Sequence, residues 1–198
     1  MIKAELVKEL RERTGSGIMD CKKALQESGG DMEKAIVYLR ERGLAVAAKK
    51  AGRVTGEGLV ESYIHAGGKI GVLIEVNCET DFVAKTDDYH TLCKELAMQV
   101  AAANPTYVGR SDVPQETIDA EKSVLEIQAR NDGKPEKVIE KIVNGRIEKF
   151  YKDICLLEQL YIRDSEKTVQ DLVSEYIAKL GENIVVNRFC RFKLGEER

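Results

Sequence analysis

The stretch KIGVLIEVNCETDFV, residues 69–83, decides the fold because its pattern changes abruptly near its end. Along the first ten positions every second residue is apolar, which is typical of a β-strand with one face in a core. Beyond Cys78 the alternation stops, and Asp81 and Phe82 place a charge beside a large apolar ring. The residues expected to face the core are Ile70, Val72, Ile74, Val76 and Cys78.

Two further strands are predicted to pair with this one. Leu59 to Ala66 precedes it across Ala66-Gly67-Gly68-Lys69, a hairpin signal. Ile184 to Leu194 is the third strand, rich in β-branched and aromatic residues. Strict alternation predicts two faces on it: Ile184, Val186, Cys190, Phe192 and Leu194 on one, Val185 and Phe189 on the other.

Helices are predicted between these strands. An apolar stripe runs from Tyr89 to Asn104, and two helices are expected to begin near Pro114 and Pro135. A last helix is predicted to start after the cap Thr168 and to end at Gly181. Residues 58–198 are therefore expected to form an α+β core, a small antiparallel sheet covered by helices.

The chain before this core is predicted to be a separate helical domain. Residues 1–43 contain three short apolar stripes at helical spacing, with Asp31 as the N-cap of the third and Gly43 as its end. Residues 44–57 combine small residues with Lys49, Lys50 and Arg53, and they are predicted to be a linker and domain boundary, with helical first turns as an alternative.

Composition limits the classes of function. The net charge of −3 is divided into about +4 over residues 1–53 and −7 over the remainder. An acidic majority argues against direct nucleic-acid binding, so a protein partner is expected. No apolar run could span a membrane and no signal peptide is evident, which predicts a cytoplasmic protein. The five cysteines never form a C-x-x-C pair, which excludes a typical zinc site.

The residues at the strand exit are compatible with several kinds of site. A metal site would mix the Cys78 thiolate with carboxylates, a combination that suits no common ion, so no metal and no cofactor is expected. The phosphate-binding motif G-x-x-x-x-G-K-[ST] and a nucleophile elbow are both missing. A solvated turn with Phe82 in the core is one interpretation, and an exposed aromatic hot spot for a partner is the other. The residues of the metal interpretation are Cys78, Glu79, Asp81, Asp87, Asp88 and His90.

Four motifs together carry a resemblance to a known family. They are LVKELRERTGSGIMDCKKAL (6–25), KKAGRVTGEGLV (49–60), IEVNCETDFVAKTDDY (74–89) and GENIVVNRFCRF (181–192). Their order and length make the chain similar, from end to end, to bacterial elongation factor Ts. The resemblance implies a ubiquitin-associated-like three-helix N-terminal domain followed by an α+β core, as the periodicity predicts independently.

The resemblance also implies a function. Members of this family exchange guanine nucleotide on elongation factor Tu: they bind its GDP-bound and nucleotide-free forms, displace magnesium and promote GDP release and GTP loading. It implies an exchange factor rather than an enzyme. The element that displaces magnesium matches Thr80, Asp81, Phe82 and Val83. Positions that match the docking surface of the N-terminal domain are Lys8, Arg11, Ile18 and Met19.

Longer relatives carry a duplicated core and an additional coiled-coil hairpin, whereas this chain has one sheet pattern and resembles a short form. The exposed edge expected at Ile184 to Leu194 predicts a homodimer in which a second copy covers that strand. Cys190 would then meet its own copy near the two-fold axis and could form an intersubunit disulfide. Two other classes of function stay open on the residues alone. One is a helical adaptor that binds a protein surface, and the other is an RNA-binding protein that uses the basic N-terminal segment.

Overall fold

The computed structural model describes residues 2–196, so residue 1 of the predicted N-terminal domain and residues 197–198 of the predicted core lie outside it. The predicted α+β class is confirmed. The helices of the described residues are α1 (Ala4–Thr14), α2 (Ile18–Glu27), α3 (Met32–Lys50), α4 (Asp81–Ala84), α5 (Asp87–Ala103), α6 (Gln115–Asn131), α7 (Glu136–Ile154) and α8 (Val169–Leu180). The strands are β1 (Glu57–Ile64), β2 (Ile70–Cys78), β3 (Leu160–Tyr161), β4 (Asp164–Thr168) and β5 (Ile184–Lys193).

The main sheet is antiparallel with the order β1-β2-β5, so β2 is its central strand. The face of β2 that alternation assigned to the core is packed against α5 and α8, as predicted. Tyr89, at the start of α5, is fully buried and donates its hydroxyl hydrogen to the Val76 carbonyl at 2.7 Å. The fully buried or nearly fully buried members of this face are Val72, Ile74, Val76 and Cys78.

Strict alternation along β5 was wrong beyond Val186. The pairing register shifts between Glu75 and Val76 of β2, which leaves Asn187 as an extra residue on β5. A β-bulge of this kind reverses the faces that follow it. Phe189 therefore packs against the core, whereas Cys190 is exposed.

Cys190 lies opposite Leu73 on the surface that faces away from α5. We call this surface the outer face of the sheet. Phe192 shares it and is exposed, because the bulge moves both residues away from the side on which Ile184 and Val186 are buried.

Two features lie outside what the sequence predicted. The short strands β3 and β4 form a second antiparallel pair. Helices α6 and α7 pack on each other as a hairpin with its own apolar cluster, in which Ala129 is fully buried. Both helices begin one residue after a proline, as expected, and α7 continues through Gly145 without a break.

The three N-terminal helices enclose a small core of their own. Leu10, Cys21 and Leu25, from α1 and α2, are fully buried there together with Ala35 of α3. The predicted N-cap is confirmed, because the Asp31 carboxylate accepts a hydrogen bond from the Lys34 backbone N–H at 3.0 Å.

The prediction that Gly43 ends the third helix was wrong. Helix α3 passes through Gly43 and continues to Lys50, so the first half of the predicted linker 44–57 is helical. Gly43 is buried, and a side chain added there would meet the Ser174 carbonyl and the Ala178 side chain of α8. Helix α8 thus packs directly against α3 at this position, and this packing outweighs the roughly 1 kcal/mol helix penalty of glycine.

Helices α3 and α8 lie side by side and run in the same direction. Near the start of α8, the guanidinium of Arg40, in the middle of α3, donates to the Asp171 carboxylate and to the Glu166 carbonyl. At the C-terminal ends of both helices the Lys50 ammonium donates to the carbonyl of Gly181, the C-cap of α8. The N-terminal helices are thus attached to the core by the second half of α3, with a polar contact at each end of that half.

Asp171 connects two structural roles. Its carboxylate accepts hydrogen bonds from the backbone and hydroxyl of Thr168, at 2.9 and 2.8 Å, as the capping box of α8. The side chain is only 9% exposed. Burial acts to raise the pKa of Asp171, but the hydrogen bonds from Thr168 and Arg40 outweigh burial and hold this pKa below its ordinary value.

We predict that Asp171→Asn lowers the free energy of unfolding at pH 7 by about 1–2 kcal/mol, because it weakens a helix cap and an ion pair together. The pKa of the folded state is depressed, so the stabilisation is present above the ordinary value of 3.8 and is lost as the pH falls below it. The difference between wild type and variant, measured by urea unfolding, should therefore shrink from pH 5 to pH 3.

The control variant is Asp119→Asn, which changes an exposed carboxylate that accepts from Gln115 on its own helix. It should leave the free energy of unfolding within about 0.5 kcal/mol of wild type. A wild-type to Asp171→Asn difference that does not vary with pH would contradict the assignment.

Candidate functional site

The exit from β2 forms a single helical turn. Thr80 is the N-cap of α4, and its hydroxyl oxygen accepts a hydrogen bond from the Val83 N–H at 3.4 Å. Val83 and Ala84 turn towards the core, whereas Phe82 points away from it and is 79% exposed. We call Thr80–Val83 the tip segment. Of the two interpretations that the sequence left open, the structure gives the exposed aromatic ring.

Asp81 carries a charge beside this ring. Its carboxylate accepts from the Lys85 ammonium, one helical turn later, at 2.6 Å. The Lys85 hydrogen bond holds the pKa of Asp81 below its ordinary value, and Asp81 raises the pKa of Lys85 in return. Both groups are therefore charged at neutral pH, and the tip segment presents an apolar ring flanked by an ion pair.

The backbone that leads into the tip segment is held by a distant carboxylate. One oxygen of Glu182 accepts from the backbone N–H groups of Glu79 and Thr80, at 3.1 and 3.0 Å. The other oxygen accepts from the Thr80 hydroxyl at 2.6 Å. Glu182 follows Gly181, which has a left-handed backbone with φ of 78°. One side chain thus satisfies two backbone donors that lie beyond the last pair of the β2–β5 ladder.

A second carboxylate, that of Glu79, binds the segment that carries Glu182. Glu79 accepts from the Asn183 backbone N–H at 2.6 Å and from the Arg53 guanidinium at 3.4 Å. The Asn183 bond, more than Arg53, holds the pKa of Glu79 below its ordinary value. The Asn183 side chain, which is almost fully buried, donates to the Arg53 carbonyl at 3.1 Å. The segments 79–80 and 182–183 are therefore connected in both directions.

The residues of the metal interpretation do not converge. Cys78 is buried and its thiol donates to the Thr80 carbonyl at 3.1 Å, and burial raises its pKa. Asp81 pairs with Lys85 and Asp88 with Lys179. Among residues 2–196 the structure contains no group of three or more His, Cys, Asp or Glu side chains that could hold a metal ion.

The four predicted docking residues lie on the N-terminal helices, apart from the tip segment. Ile18 and Met19 begin α2 and are 57% and 71% exposed, so neither belongs to the small core of these helices. Lys8 and Arg11 are exposed on α1, where Lys8 lies 3.7 Å from Glu12. The described residues thus present exposed apolar side chains at two separate places, Phe82 in the tip segment and the pair Ile18 and Met19 at the start of α2.

Sequence reasoning missed Glu182 as a partner of the tip segment, and it missed the contact between Glu79 and Asn183 beside it. Their bonds join residues more than a hundred positions apart, which no local pattern reveals. The available signal was the dipeptide Glu182-Asn183 directly after a helix-ending glycine, where polar side chains often satisfy backbone donors.

Comparison with known proteins gives a consistent result. The family described as Elongation factor TS matches residues 28–196. The chain belongs to the elongation factor Ts family. The resemblance that the four sequence motifs indicated is therefore confirmed.

The relatives are close and of similar length. The Elongation factor Ts of Thermoanaerobacter sp. (strain X514) is 67% identical over 99% of this chain and 96% of its own length. That of Heliobacterium modesticaldum is 66% identical over 99% of this chain and 91% of its own. That of Moorella thermoacetica is 66% identical over 99% of this chain and 97% of its own. In addition, none of the helices in residues 2–196 is both long and apolar enough to cross a membrane.

Proposed function

We propose that the chain catalyses guanine-nucleotide exchange on elongation factor Tu by inserting the tip segment into its partner. The exchange role rests on membership of the elongation factor Ts family. The observation that carries the proposed mechanism is Phe82, an aromatic ring left exposed on a turn whose backbone is fixed on both sides. Exposed aromatic residues on rigid supports are frequent hot spots of protein interfaces.

The physical basis lies in the magnesium ion bound with GDP in the partner. Mg²⁺ demands near-ideal octahedral geometry, so a small displacement of its ligands weakens binding strongly. A ring wedged between elements of the partner would move them, and the Asp81 carboxylate would compete for donors near the phosphates. We propose that the chain acts in the cytoplasm, where translation factors work.

Thermodynamic linkage sets the direction of the cycle. If the factor weakens the binding of nucleotide to Tu, nucleotide weakens the binding of the factor by the same ratio. Incoming GTP therefore helps to release the factor. The rate of exchange rises, while the equilibrium between GDP and GTP is unchanged, so the chain acts on its partner without chemistry of its own.

The first test of this mechanism is the double variant Asp81→Ala with Phe82→Ala. It should slow the stimulated release of a fluorescent GDP analogue from a cognate Tu at least about tenfold, or 1.4 kcal/mol in activation free energy. The reason is that the variant removes the wedge while Thr80 keeps the turn.

A matched control changes Glu126 and Ile127 on α6 to alanine, since they too are an acidic residue next to an exposed apolar one. This control should stimulate release like wild type. Full stimulation by a folded Asp81→Ala, Phe82→Ala variant would refute the mechanism.

We further propose that the N-terminal helices dock on Tu through Ile18 and Met19, with Lys8 and Arg11 at the rim. Two neighbouring apolar side chains at a helix start, both mostly exposed, are the observation that supports this role. Charged residues at the edge of an interface mainly assist encounter, so the apolar pair should carry most of the affinity.

For docking we expect Ile18→Ser with Met19→Ser to raise the concentration of factor that gives half-maximal stimulation about tenfold. The maximal rate of release should change less than about twofold, because the tip segment is intact. The control is Val37→Ser, which changes an exposed apolar residue on α3. If the double variant lowers the maximal rate instead, these residues do more than dock.

A homodimer is the third proposal, and we now propose the outer face of the sheet, rather than the strand edge alone, as its contact surface. Strand β5 is an edge of the sheet, and its exposed side chains lie on the outer face with those of the neighbouring strands. A second copy placed on this face would bury apolar area and bring the two Cys190 side chains towards a two-fold axis. The exposed apolar residues of the outer face are Val60, Ile64, Leu73, Val185 and Phe192.

Sedimentation velocity under reducing conditions tests the dimer. Wild type at tens of micromolar should sediment as a dimer, and Leu73→Glu should sediment as a monomer because a buried charge opposes association. Val124→Glu, on α6, is the control for an added surface charge. Without reductant, a covalent dimer should form in wild type and be missing in Cys190→Ser. A wild-type monomer at these concentrations would rule the dimer out.

A further inference from the structure

We propose that Glu182 is a positioning residue for exchange: its carboxylate holds Thr80 in the geometry that presents Phe82. The inference rests on the proposed function of the tip segment and adds to it a residue 100 positions away that never needs to touch the partner. It concerns a fixed path of hydrogen bonds, from Glu182 to Thr80 and from Thr80 to the turn that carries the ring.

The first step of the path is the orientation of the Thr80 hydroxyl. This group donates its only hydrogen to Glu182 at 2.6 Å and accepts from the Val83 N–H at 3.4 Å. A hydroxyl can rotate, and donation to Glu182, the shorter of its two hydrogen bonds, is the main constraint on its orientation here. With the hydrogen directed to Glu182, the lone pairs of the oxygen are directed to the amide that closes the turn.

The second step is the backbone. Residues 79 and 80 follow the last paired residue of β2, so their N–H groups have no partner in the β2–β5 ladder. Glu182 accepts a hydrogen bond from each of these two groups. Without this acceptor the chain at residues 79–80 could rotate, since Phe82 itself has little packing to resist such a movement. A ring used as a wedge must be held in place, because freedom lost on insertion opposes the insertion.

The third step is the support of Glu182 itself. It lies between Gly181, which ends α8, and Asn183, whose backbone N–H is bound by Glu79 at 2.6 Å. Helix α8 and strand β5 are both parts of the main core, so the carboxylate is attached to the most buried region of the molecule. The tip segment is therefore attached to the core at two points: through β2, which leads into it, and through the hydrogen bonds of Glu182.

The experiment compares three substitutions of Glu182 in the full chain by stimulated release of a fluorescent GDP analogue. Glu182→Ala should lower the maximal rate about tenfold with less than a threefold change in the half-saturating concentration. Glu182→Gln keeps the reach: its amide oxygen can accept from the Glu79 and Thr80 N–H groups, and its NH2 group can donate to the Thr80 hydroxyl oxygen, which keeps a lone pair for the Val83 N–H. It should stay within about threefold of wild type. Glu182→Asp keeps the charge but loses reach, and should be slower than Glu182→Gln.

The order of these rates decides between reach and charge. If Glu182→Asp exchanges faster than Glu182→Gln, the negative charge matters and the positioning role is overturned. If Glu182→Ala does not fold, the comparison of the Asp and Gln variants still gives this answer. The control is Glu95→Ala, which removes another largely buried carboxylate that joins two elements through Tyr161 at 2.5 Å and Arg163 at 2.9 Å. Its maximal rate should equal that of wild type.

A mutant cycle tests whether Glu182 acts through the tip segment. In the Asp81→Ala, Phe82→Ala background, Glu182→Ala should slow release by less than about twofold further, because the two side chains that it positions have been removed. A merely structural role would give two effects that multiply, and that result would overturn the inference. Amide hydrogen exchange of the free factor should be faster at Thr80 and Val83 in Glu182→Ala and unchanged in the middle of β2.

The failures are distinguishable. A wild-type rate for Glu182→Ala together with a slow Asp81→Ala, Phe82→Ala variant would overturn the positioning role and leave the function of the tip segment intact. A wild-type rate for Asp81→Ala, Phe82→Ala would overturn the proposed function, and the inference with it.

Discussion

The burial of one face of β2 against α5 is the interaction on which the rest of the structure depends. This strand pairs with both other strands of the sheet, and its inner face includes fully buried Ile74 and Val76. The hydroxyl of Tyr89 reaches from α5 to the Val76 carbonyl, so the helix is fixed along the strand as well as against it. Because side chains alternate along a strand, a shift by one residue would expose this whole face, and the register is therefore strongly specified.

The register of β2 also fixes the position of the turn that follows this strand. The turn that carries Phe82 begins two residues after the strand ends, and α5 begins at Asp87. Neither the strand nor the helix can slide without unburying the core, which leaves the turn little freedom in position. The remaining freedom is rotation of the backbone at residues 79–80, and there the structure supplies polar contacts from the start of β5.

Local patterns were sufficient where local physics decides. Alternation identified the inner face of β2, and capping residues gave the start of α3 at Asp31 and of α8 at Thr168. Tertiary contacts decided the rest. The bulge at Asn187 depends on pairing with β2, and α3 continues through Gly43 because α8 lies against it. The motif at residues 74–89 was sufficient to identify the tip segment, because those residues are adjacent in sequence. The carboxylate of Glu182 that holds the segment is distant in sequence, so only the fold could show that contact.

The passage of α3 through Gly43 has a consequence for two-point binding. With a flexible connection, docking of the N-terminal helices would leave the tip segment free to move through a wide volume. The effective concentration of the tip segment at its own binding site would then be low. Here the connection is a helix of 19 residues, roughly 28 Å long, whose second half lies along α8. If the two proposed contacts with Tu form, the second is therefore available at nearly one position and orientation once the first has formed. The distance between the two contacts is then fixed by this chain, so a partner of other dimensions could form only one of them.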